Sequence, residues 1–175
     1  FAERGWPVVG VEPSCILAYR DDYLDLAADR DAAQRVADCV FLLDEFLARV
    51  DREEEGGLGC EFDVTPRQVL LHGHCHQKAF GAMGAVERIL RLVPDLEVET
   101  VASSCCGMAG AFGYEAEHFA TSMAMGELDL LPAVREAGED TLIVADGTSC
   151  REQIRGGAGR EAWHVARVLK AALAE

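Results

Sequence analysis

Four short runs of β-branched and aliphatic residues, each followed by a turn and then by helical periodicity, constrain the fold of this chain most strongly. They lie at residues 7–11, 68–72, 96–101 and 141–145. The runs lack polar alternation, which is typical of strands buried on both faces of a parallel sheet. The sequence therefore predicts an α/β fold of three layers, with a mainly parallel four-stranded sheet and helices on both faces.

Helical periodicity between these runs predicts the outer layers. One long helix is marked by an apolar stripe made of Val36, Val40, Leu43, Leu47 and Val50. Other helices are expected at residues 16–26, 79–93, 115–125, 130–136 and 161–173. The 175 residues suit a single domain spanning 1–175. Because residues 1–5 resemble the end of a helix closed by Gly5, we expect a fragment of a longer chain.

Composition and charge exclude several classes of protein. The formal net charge of −15 argues against nucleic-acid binding, which relies on clustered Lys and Arg. No apolar run reaches the roughly 20 residues of a membrane helix, so no transmembrane segment is expected. Between residues 20 and 55, 12 acidic residues and 5 arginines predict an exposed acidic helical face. Seven cysteines without a signal peptide indicate a reducing compartment, either cytoplasmic or peripheral at the inner membrane.

Every predicted strand-to-helix junction carries cysteine. Cys15 follows the first strand, Cys75 the second, Cys105 and Cys106 the third, and Cys150 the fourth. The carboxyl ends of parallel strands share one edge of the sheet, where ligands bind. We therefore predict that these five cysteines converge and bind a metal centre.

The remaining cysteines are separated from the junctions. Cys39 is expected inside the helix of the apolar stripe, as a small buried hydrophobe, and Cys60 lies beyond a glycine-rich loop. At the last junction, Ser149 and Glu152 fit a capping box. That box would place Cys150 at the first helical position and favour its thiolate form, which binds metals.

The adjacent pair Cys105 and Cys106 bears on the type of centre. Two neighbouring thiolates cannot easily point at one tetrahedral ion, but they can reach different atoms of an iron–sulfur cluster. The intervals to the other cysteines are much longer than the two or three residues of ferredoxin motifs. The adjacent pair thus favours a cluster, the longer intervals do not form a ferredoxin motif, and zinc stays open.

Histidines flank the second junction. His74 and His76 would point away from Cys75 on an extended segment, so we expect them to form hydrogen bonds around the centre rather than to bind metal. His72, within a strand, and His118, on a helix, are expected to be structural, and His164 on the last helix has no evident partner.

The third junction is rich in glycine. Gly107, Gly110 and Gly113 lack the lysine of a phosphate-binding loop. Access of the backbone to a cluster explains these glycines better. Their N–H groups would donate hydrogen bonds to cluster sulfur and so tune the reduction potential of the cluster. We therefore place Gly107 and Ser149 around the centre with the two flanking histidines.

Longer motifs resemble a known family over about residues 6–165. They are GVEPSC at 10–15, HGHCHQK at 72–78, CCGMAG at 105–110, FGYE at 112–115 and DGTSCREQI at 146–154. Their order and spacing resemble the C-terminal cysteine-rich CCG domain of large FAD-linked oxidases and D-2-hydroxy-acid dehydrogenases. Such a domain also occurs in the iron–sulfur component of glycolate oxidase, the C component of anaerobic glycerol-3-phosphate dehydrogenase and the B component of heterodisulfide reductase.

The resemblance implies an electron-transfer role. Flavin and ferredoxin-like domains on the rest of such chains bind FAD and 4Fe–4S clusters, and they oxidise a D-2-hydroxy acid such as lactate, glycolate or 2-hydroxyglutarate. The cysteine-rich region then passes electrons toward a quinone, a cytochrome or another carrier. In heterodisulfide reductase the family's cysteines hold a non-cubane 4Fe–4S cluster. The resemblance implies that five residues of this chain match the ligand positions of such a cluster, namely Cys15, Cys75, Cys105, Cys106 and Cys150.

One position departs from the family pattern. The common pattern ends in CxxC, and Gly147 stands at the first of those cysteines. Five thiolates remain only if Cys15 takes part, so an ordinary cluster, a non-cubane cluster and zinc all stay open. Two rival functions stay open as well. One is a zinc-stabilised interaction domain that docks the flavin portion or a membrane partner, and the other is thiol catalysis by Cys105 and Cys106.

Overall fold

Two parallel sheets organise the computed structural model, which describes residues 1–64 and 67–174. The smaller sheet pairs β1 (Val8–Gly10) with β2 (Val40–Leu42). The larger sheet contains β3 (Arg67–His72), β4 (Leu96–Thr100), β5 (Leu142–Ala145) and β6 (Ala162–Trp163). Its order is β4–β3–β5–β6, and all of its pairings are parallel.

The helices cover these sheets and connect their strands. They are α1 (Pro13–Leu17), α2 (Asp22–Leu26), α3 (Arg30–Ala37), α4 (Leu43–Glu53), α5 (Cys75–Ala79), α6 (Met83–Leu90), α7 (Phe119–Gly126), α8 (Leu130–Glu136), α9 (Thr148–Ala158) and α10 (Val165–Ala172). In the described part of the chain, none of them is both long and apolar enough to cross a membrane.

Helices lie on both faces of the four-stranded sheet, and the three-layer α/β prediction is confirmed. Side chains alternate along β3, so that Val69 and Leu71 face a core cluster containing residues of α6 and α10. Leu70 faces the opposite cluster, which contains residues of α8 and α9. A third cluster lies at the smaller sheet and includes Leu17 and Leu42.

The membership of the four-stranded sheet differs from the prediction. β1 was expected in it, but β1 pairs with β2, and β6 takes the fourth place beside β5. The sequence reasoning missed β2 because Val40 fits the helical stripe. Instead, α3 ends at Ala37, and Val40 and Leu42 are buried on one side of a strand.

Several predicted helices are also shorter or divided. The expected helix at 79–93 is interrupted by a turn that contains Gly81, whose φ of 67° is incompatible with a continuing helix. The expected helix at 161–173 begins only at Val165, because Ala162–Trp163 extends the sheet. The helix predicted at 130–136 has the observed bounds of α8.

The strand order reverses between β3 and β5. The chain passes from β3 to one neighbour, β4, whereas it passes from β5 to a neighbour on the opposite side, β6. In open α/β sheets, ligands bind outside the carboxyl ends of the strands at such a switch point. His72 and Ala145 end the two central strands side by side, and thus mark the expected place for a ligand.

Candidate metal centre

Three side chains of metal-ligand type meet at this switch point. His72, Cys106 and Cys150 each place one ligand atom within 4.8 Å of the others, and all three are buried. We call them the inner group. His72 ends β3, and Cys150 is the third residue of α9, directly after β5. Cys106 comes from the loop after β4, so three strand-to-helix junctions supply one ligand each.

The ring of His72 has a bonding partner at one nitrogen only. Its Nδ1 lies 2.9 Å from the Ser103 hydroxyl oxygen. Its Nε2 is buried and has no hydrogen-bond partner among the described residues. An unsatisfied buried polar atom costs about 1–3 kcal/mol, so it calls for an explanation. Imidazole nitrogen beside two thiols is a donor set that suits zinc or iron, and the inner group therefore fits a metal centre.

Sequence reasoning had assigned His72 to the structural histidines because it lies within a strand. The alternation of side chains along β3 was the signal that could have found it. His72 is two residues after Leu70 and shares its side of the sheet, which is the side that also carries Cys106 and Cys150.

The two buried thiols of the inner group interact with each other through a hydrogen bond. The hydrogen bond from the Cys150 thiol lowers the pKa of Cys106, and His72 lowers it further against the effect of burial. The same hydrogen bond raises the pKa of Cys150, and burial raises it too. Burial and the neighbouring thiols therefore oppose the thiolate form of Cys150, which its place near a helix N-terminus was expected to favour.

The start of α9 also differs from the predicted capping box. Gly147 is the N-cap and Thr148 begins the helix, so Cys150 is its third residue rather than its first. Glu152 pairs with Arg155 instead of capping the helix. A residue far away in the sequence caps the exposed start of α9. A carboxylate oxygen of Glu12 accepts hydrogen bonds from the Thr148 N–H at 2.8 Å and from the Thr148 hydroxyl at 2.7 Å.

This contact ties the first junction to the fourth. Burial opposes the charged form of Glu12, but the hydrogen bonds from Thr148 and Ser14 outweigh it and lower the pKa of Glu12. The start of α1, which carries Cys15, is therefore held beside the start of α9, which carries Cys150, although β1 belongs to the other sheet.

A second group of possible ligands lies at the start of α5. His74, Cys75 and His76 also place one ligand atom each within 4.8 Å of one another, and we call them the rim group. The Nδ1 of His74 accepts a hydrogen bond from the His76 N–H at 3.2 Å and lies 3.8 Å from the Cys75 sulfur. The expectation that they point apart is wrong, because a helix begins at Cys75 and the segment is not extended.

The rim group is electrostatically different from the inner group. Cys75 is exposed, unlike the two thiols of the inner group. Burial, followed by the negative charge of Cys105, raises the pKa of Cys75. Burial lowers the pKa of His74, although the Glu12 carboxylate opposes this effect. Burial therefore opposes the charged forms of both His74 and Cys75.

Gly107 determines how the adjacent cysteines are presented. Its φ is 95°, and a Cβ atom there would lie 2.2 Å from the Ser122 carbonyl oxygen. Its N–H donates to the Cys105 sulfur at 3.3 Å. The turn leaves Cys106 buried in the inner group and Cys105 half-buried, so the two thiols face different surroundings.

Gly147 stands where the family pattern has a cysteine, and the ring of His74 fills the space that a side chain at position 147 would need. A Cβ atom on Gly147 would lie 2.4 Å from the Cδ2 atom of His74 and 3.2 Å from the Cys150 sulfur. A larger side chain at 147 therefore requires that His74 move. Ser149, predicted nearby, is the second residue of α9 and is half-buried beside Cys150.

The other cysteines lie apart from both groups. Cys15 is exposed on α1, which packs against α5, and it remains a predicted ligand. Cys39 lies in the turn after α3 rather than inside a helix, and it is half-buried rather than buried. Its sulfur is 3.9 Å from the Ala2 carbonyl oxygen. Cys60 is exposed beyond α4.

A polar cluster joins the two sheets near the inner group. Asp146 accepts hydrogen bonds from the Gln77 side chain at 2.9 Å and the Val165 N–H at 3.0 Å. His164, for which no partner was expected, donates to the Val11 carbonyl oxygen at 2.8 Å.

Asp44 is only 2% exposed, so the predicted exposed acidic face does not include it. Burial and the charge of Asp146 raise the pKa of Asp44 to about 7.

Two bacterial dehydrogenase proteins resemble this chain over nearly its full length. The C component of anaerobic glycerol-3-phosphate dehydrogenase from Escherichia coli strain K12 is 30% identical over 98% of the chain and 41% of the relative. D-2-hydroxyglutarate dehydrogenase from the same strain is 29% identical over 96% of the chain and 16% of the relative. No family model matches the chain, and neither does any solved structure.

A shorter relative is covered over most of its own length. Lactate utilization protein A of Bacillus licheniformis is 30% identical over 93% of this chain and 69% of the relative. The fold and the inner group define a cysteine-rich α/β domain of the kind associated with dehydrogenases. The chain belongs to the family of lactate utilization protein A, and it spans less than half the length of the two dehydrogenase relatives. The resemblance indicated by the motifs is thereby confirmed.

Proposed function

We propose that this chain is the iron–sulfur-binding, electron-transfer domain of an FAD-linked oxidoreductase that oxidises a D-2-hydroxy acid of the lactate, glycolate or 2-hydroxyglutarate type. The inner group carries the proposal, because it combines two buried thiols with a buried nitrogen that has no hydrogen-bond partner among the described residues. The names of two relatives, D-2-hydroxyglutarate dehydrogenase and lactate utilization protein A, support the substrate class.

Some residues of this chain would bind such a cluster directly, and others would surround it. The proposed ligands are Cys15, Cys75, Cys105, Cys106 and Cys150, with His74, His76, Gly107 and Ser149 around them. A bound cluster supplies a carrier for single electrons. The apolar cluster that includes Leu70, Met108 and Ile154 keeps water from the inner side. The exposed residues Cys15 and Cys75 leave the outer side open to a redox partner.

Partners of the domain follow from this arrangement. The open side would face the flavin and ferredoxin-like domains of the same polypeptide, and a quinone or cytochrome would accept electrons from the assembly. The strongly acidic composition, with a net charge of −15, favours an acceptor whose docking surface is basic.

The mixed donor set of the inner group favours one alternative. Zinc in structural sites takes four nitrogen or sulfur ligands in a tetrahedral arrangement, and it accepts histidine beside cysteine. Bound to the inner group and one further thiolate, zinc would stabilise an interaction domain that docks the flavin portion or a membrane partner.

The test is anaerobic purification followed by reconstitution with ferrous iron and sulfide. We expect iron and sulfide in near-equal amounts and a broad visible absorption that dithionite bleaches. Cys105→Ser should lose most of this cluster, whereas Cys39→Ser, a matched change away from the junctions, should retain it. Colourless protein that keeps stoichiometric zinc would contradict the cluster and support the alternative.

A further inference from the structure

We propose that the Nε2 atom of His72 is a direct ligand of the metal centre, beside the sulfurs of Cys106 and Cys150. This inference rests on the proposed function, because it concerns the same site. It adds a nitrogen ligand to the five predicted cysteines.

The spacing of the ligand atoms places the His72 nitrogen close enough to both thiols to bind the same centre. The Nε2 or Nδ1 atom and the two sulfurs all lie within 4.8 Å of one another. Two ligands of a tetrahedral ion are roughly 3.5–3.8 Å apart when the metal–sulfur bond is about 2.3 Å and the metal–nitrogen bond about 2.0–2.1 Å. Only a small adjustment of these side chains is therefore needed for the His72 nitrogen to bind the centre beside a thiol.

The two ring nitrogens have different surroundings, and this difference selects Nε2. Ser103 lies at hydrogen-bond distance from Nδ1, whereas Nε2 is buried without a hydrogen-bond partner in the described part of the chain. A serine hydroxyl can accept a hydrogen bond, so Ser103 can take the Nδ1 proton and leave the lone pair of Nε2 free. Metal-binding histidines commonly donate their second ring N–H to a protein acceptor in this way.

The position of the ring is fixed on both sides. His72 pairs with Ala145 in the centre of the sheet, and its side chain is only 1% exposed. Lys78 donates to the Ser103 carbonyl and lies 3.3 Å from the Ser103 hydroxyl oxygen, which holds the partner of Nδ1 in place. Ser103 is thus a positioning residue, and the nitrogen is presented to the thiols before metal enters.

Isotope labelling tests direct ligation without any substitution. The chain is labelled with ¹⁵N-histidine, purified anaerobically and loaded with iron and sulfide or with zinc. In the reduced iron form, pulsed EPR should detect a strong coupling to histidine nitrogen. In the zinc form, long-range ¹H–¹⁵N NMR should show one histidine with its proton on Nδ1 and a metal-shifted Nε2. Metal binding without either signal overturns the inference and leaves the proposed function standing.

Substitutions assign the signal to His72. His72→Cys should retain metal, lose the nitrogen signal and shift the cluster potential to more negative values, since thiolate replaces neutral imidazole. His118→Gln, at a histidine stacked on Phe112 outside the site, should keep the signal. Ser103→Ala should weaken metal binding by about 10–100-fold and disturb the histidine tautomer. A nitrogen signal that survives in His72→Cys overturns the inference.

Metal content separates the two possible failures. If the labelled chain binds neither the cluster nor zinc, the proposed function fails, and this inference fails with it. If metal is bound but the affinity of Ser103→Ala equals that of the unaltered chain, the positioning role of Ser103 is refuted.

Discussion

The inner group and the rim group offer metals the same types of side chain, but the fold holds them in different ways. His72 is set by the register of β3 against β5, and Cys150 by the helix that follows β5. The rim group lies on consecutive residues at the start of α5, a helix of five residues, and Cys75 is exposed. Ligands from separate strands are thus fixed by the core, whereas adjacent ligands depend on one local turn.

The largest expected effect comes from removing a thiol of the inner group. Cys106→Ser should reduce metal affinity by more than the roughly 10–100-fold that the loss of a ligand's hydrogen-bond partner costs. Cys75→Ser should have a smaller effect, because the exposed rim can admit water as a replacement ligand. Metal titration of both variants measures the difference. Equal losses would show that burial does not distinguish the two groups.

The second prediction concerns the packing that holds the inner group. Ile154 is fully buried in the cluster that contains Cys106 and Cys150. Ile154→Ala should therefore lower the free energy of unfolding by about 2–5 kcal/mol, measured by chemical denaturation. Leu26→Ala is the control, because Leu26 is 81% exposed, and its effect should stay within about 0.5 kcal/mol. Similar values for both variants would contradict this account of the core.

The third prediction tests the polar cluster that joins the small sheet to the sheet bearing the inner group. The pKa of Asp44 is about 7 in the folded chain and 3.8 as its ordinary value. Because the folded state holds this proton more tightly, Asp44 lowers stability as pH rises from about 4 to 7, by at most about 1.4 kcal/mol per pH unit.

Asp44→Asn should remove that loss and make the protein more stable than the unaltered chain at about pH 8. Denaturation at a series of pH values gives the measurement, with Asp22→Asn on the exposed face as the control. If Asp44→Asn destabilised the chain throughout this range, the carboxylate would have to be stabilising, and the burial argument would be wrong.

The smallest expected effect concerns the contact between the first and fourth junctions. Glu12→Gln removes the charge that caps α9, at a cost of about 0.5–2 kcal/mol. Because the pKa of Glu12 is lowered, its contribution is fully present above its ordinary value of 4.5 and disappears as pH falls through the folded value. Glu139→Gln, at an exposed glutamate, is the control. A pH profile unchanged by Glu12→Gln would argue that this contact does not couple the junctions.

The strands that could be predicted best are those buried in the larger sheet. β3, β4 and β5 fall within two residues of their predicted bounds, because continuous aliphatic runs such as Leu142–Ala145 have few alternatives. β2 was missed because it is only three residues long, and over so short a segment Val40 fits a helical stripe as well as a strand. The segment is a strand because it pairs with β1, and no local sequence pattern encodes that pairing.

The sequence by itself determined the α/β layering and the placement of a cysteine after each predicted strand. Both follow from local patterns, since residues close together in the sequence determine the hydrophobic period and the position of each junction. Only the tertiary structure decided that His72 joins Cys106 and Cys150 and that Glu12 caps α9. These features arise from residues far apart in the chain, and only sheet register and burial bring their atoms within bonding distance.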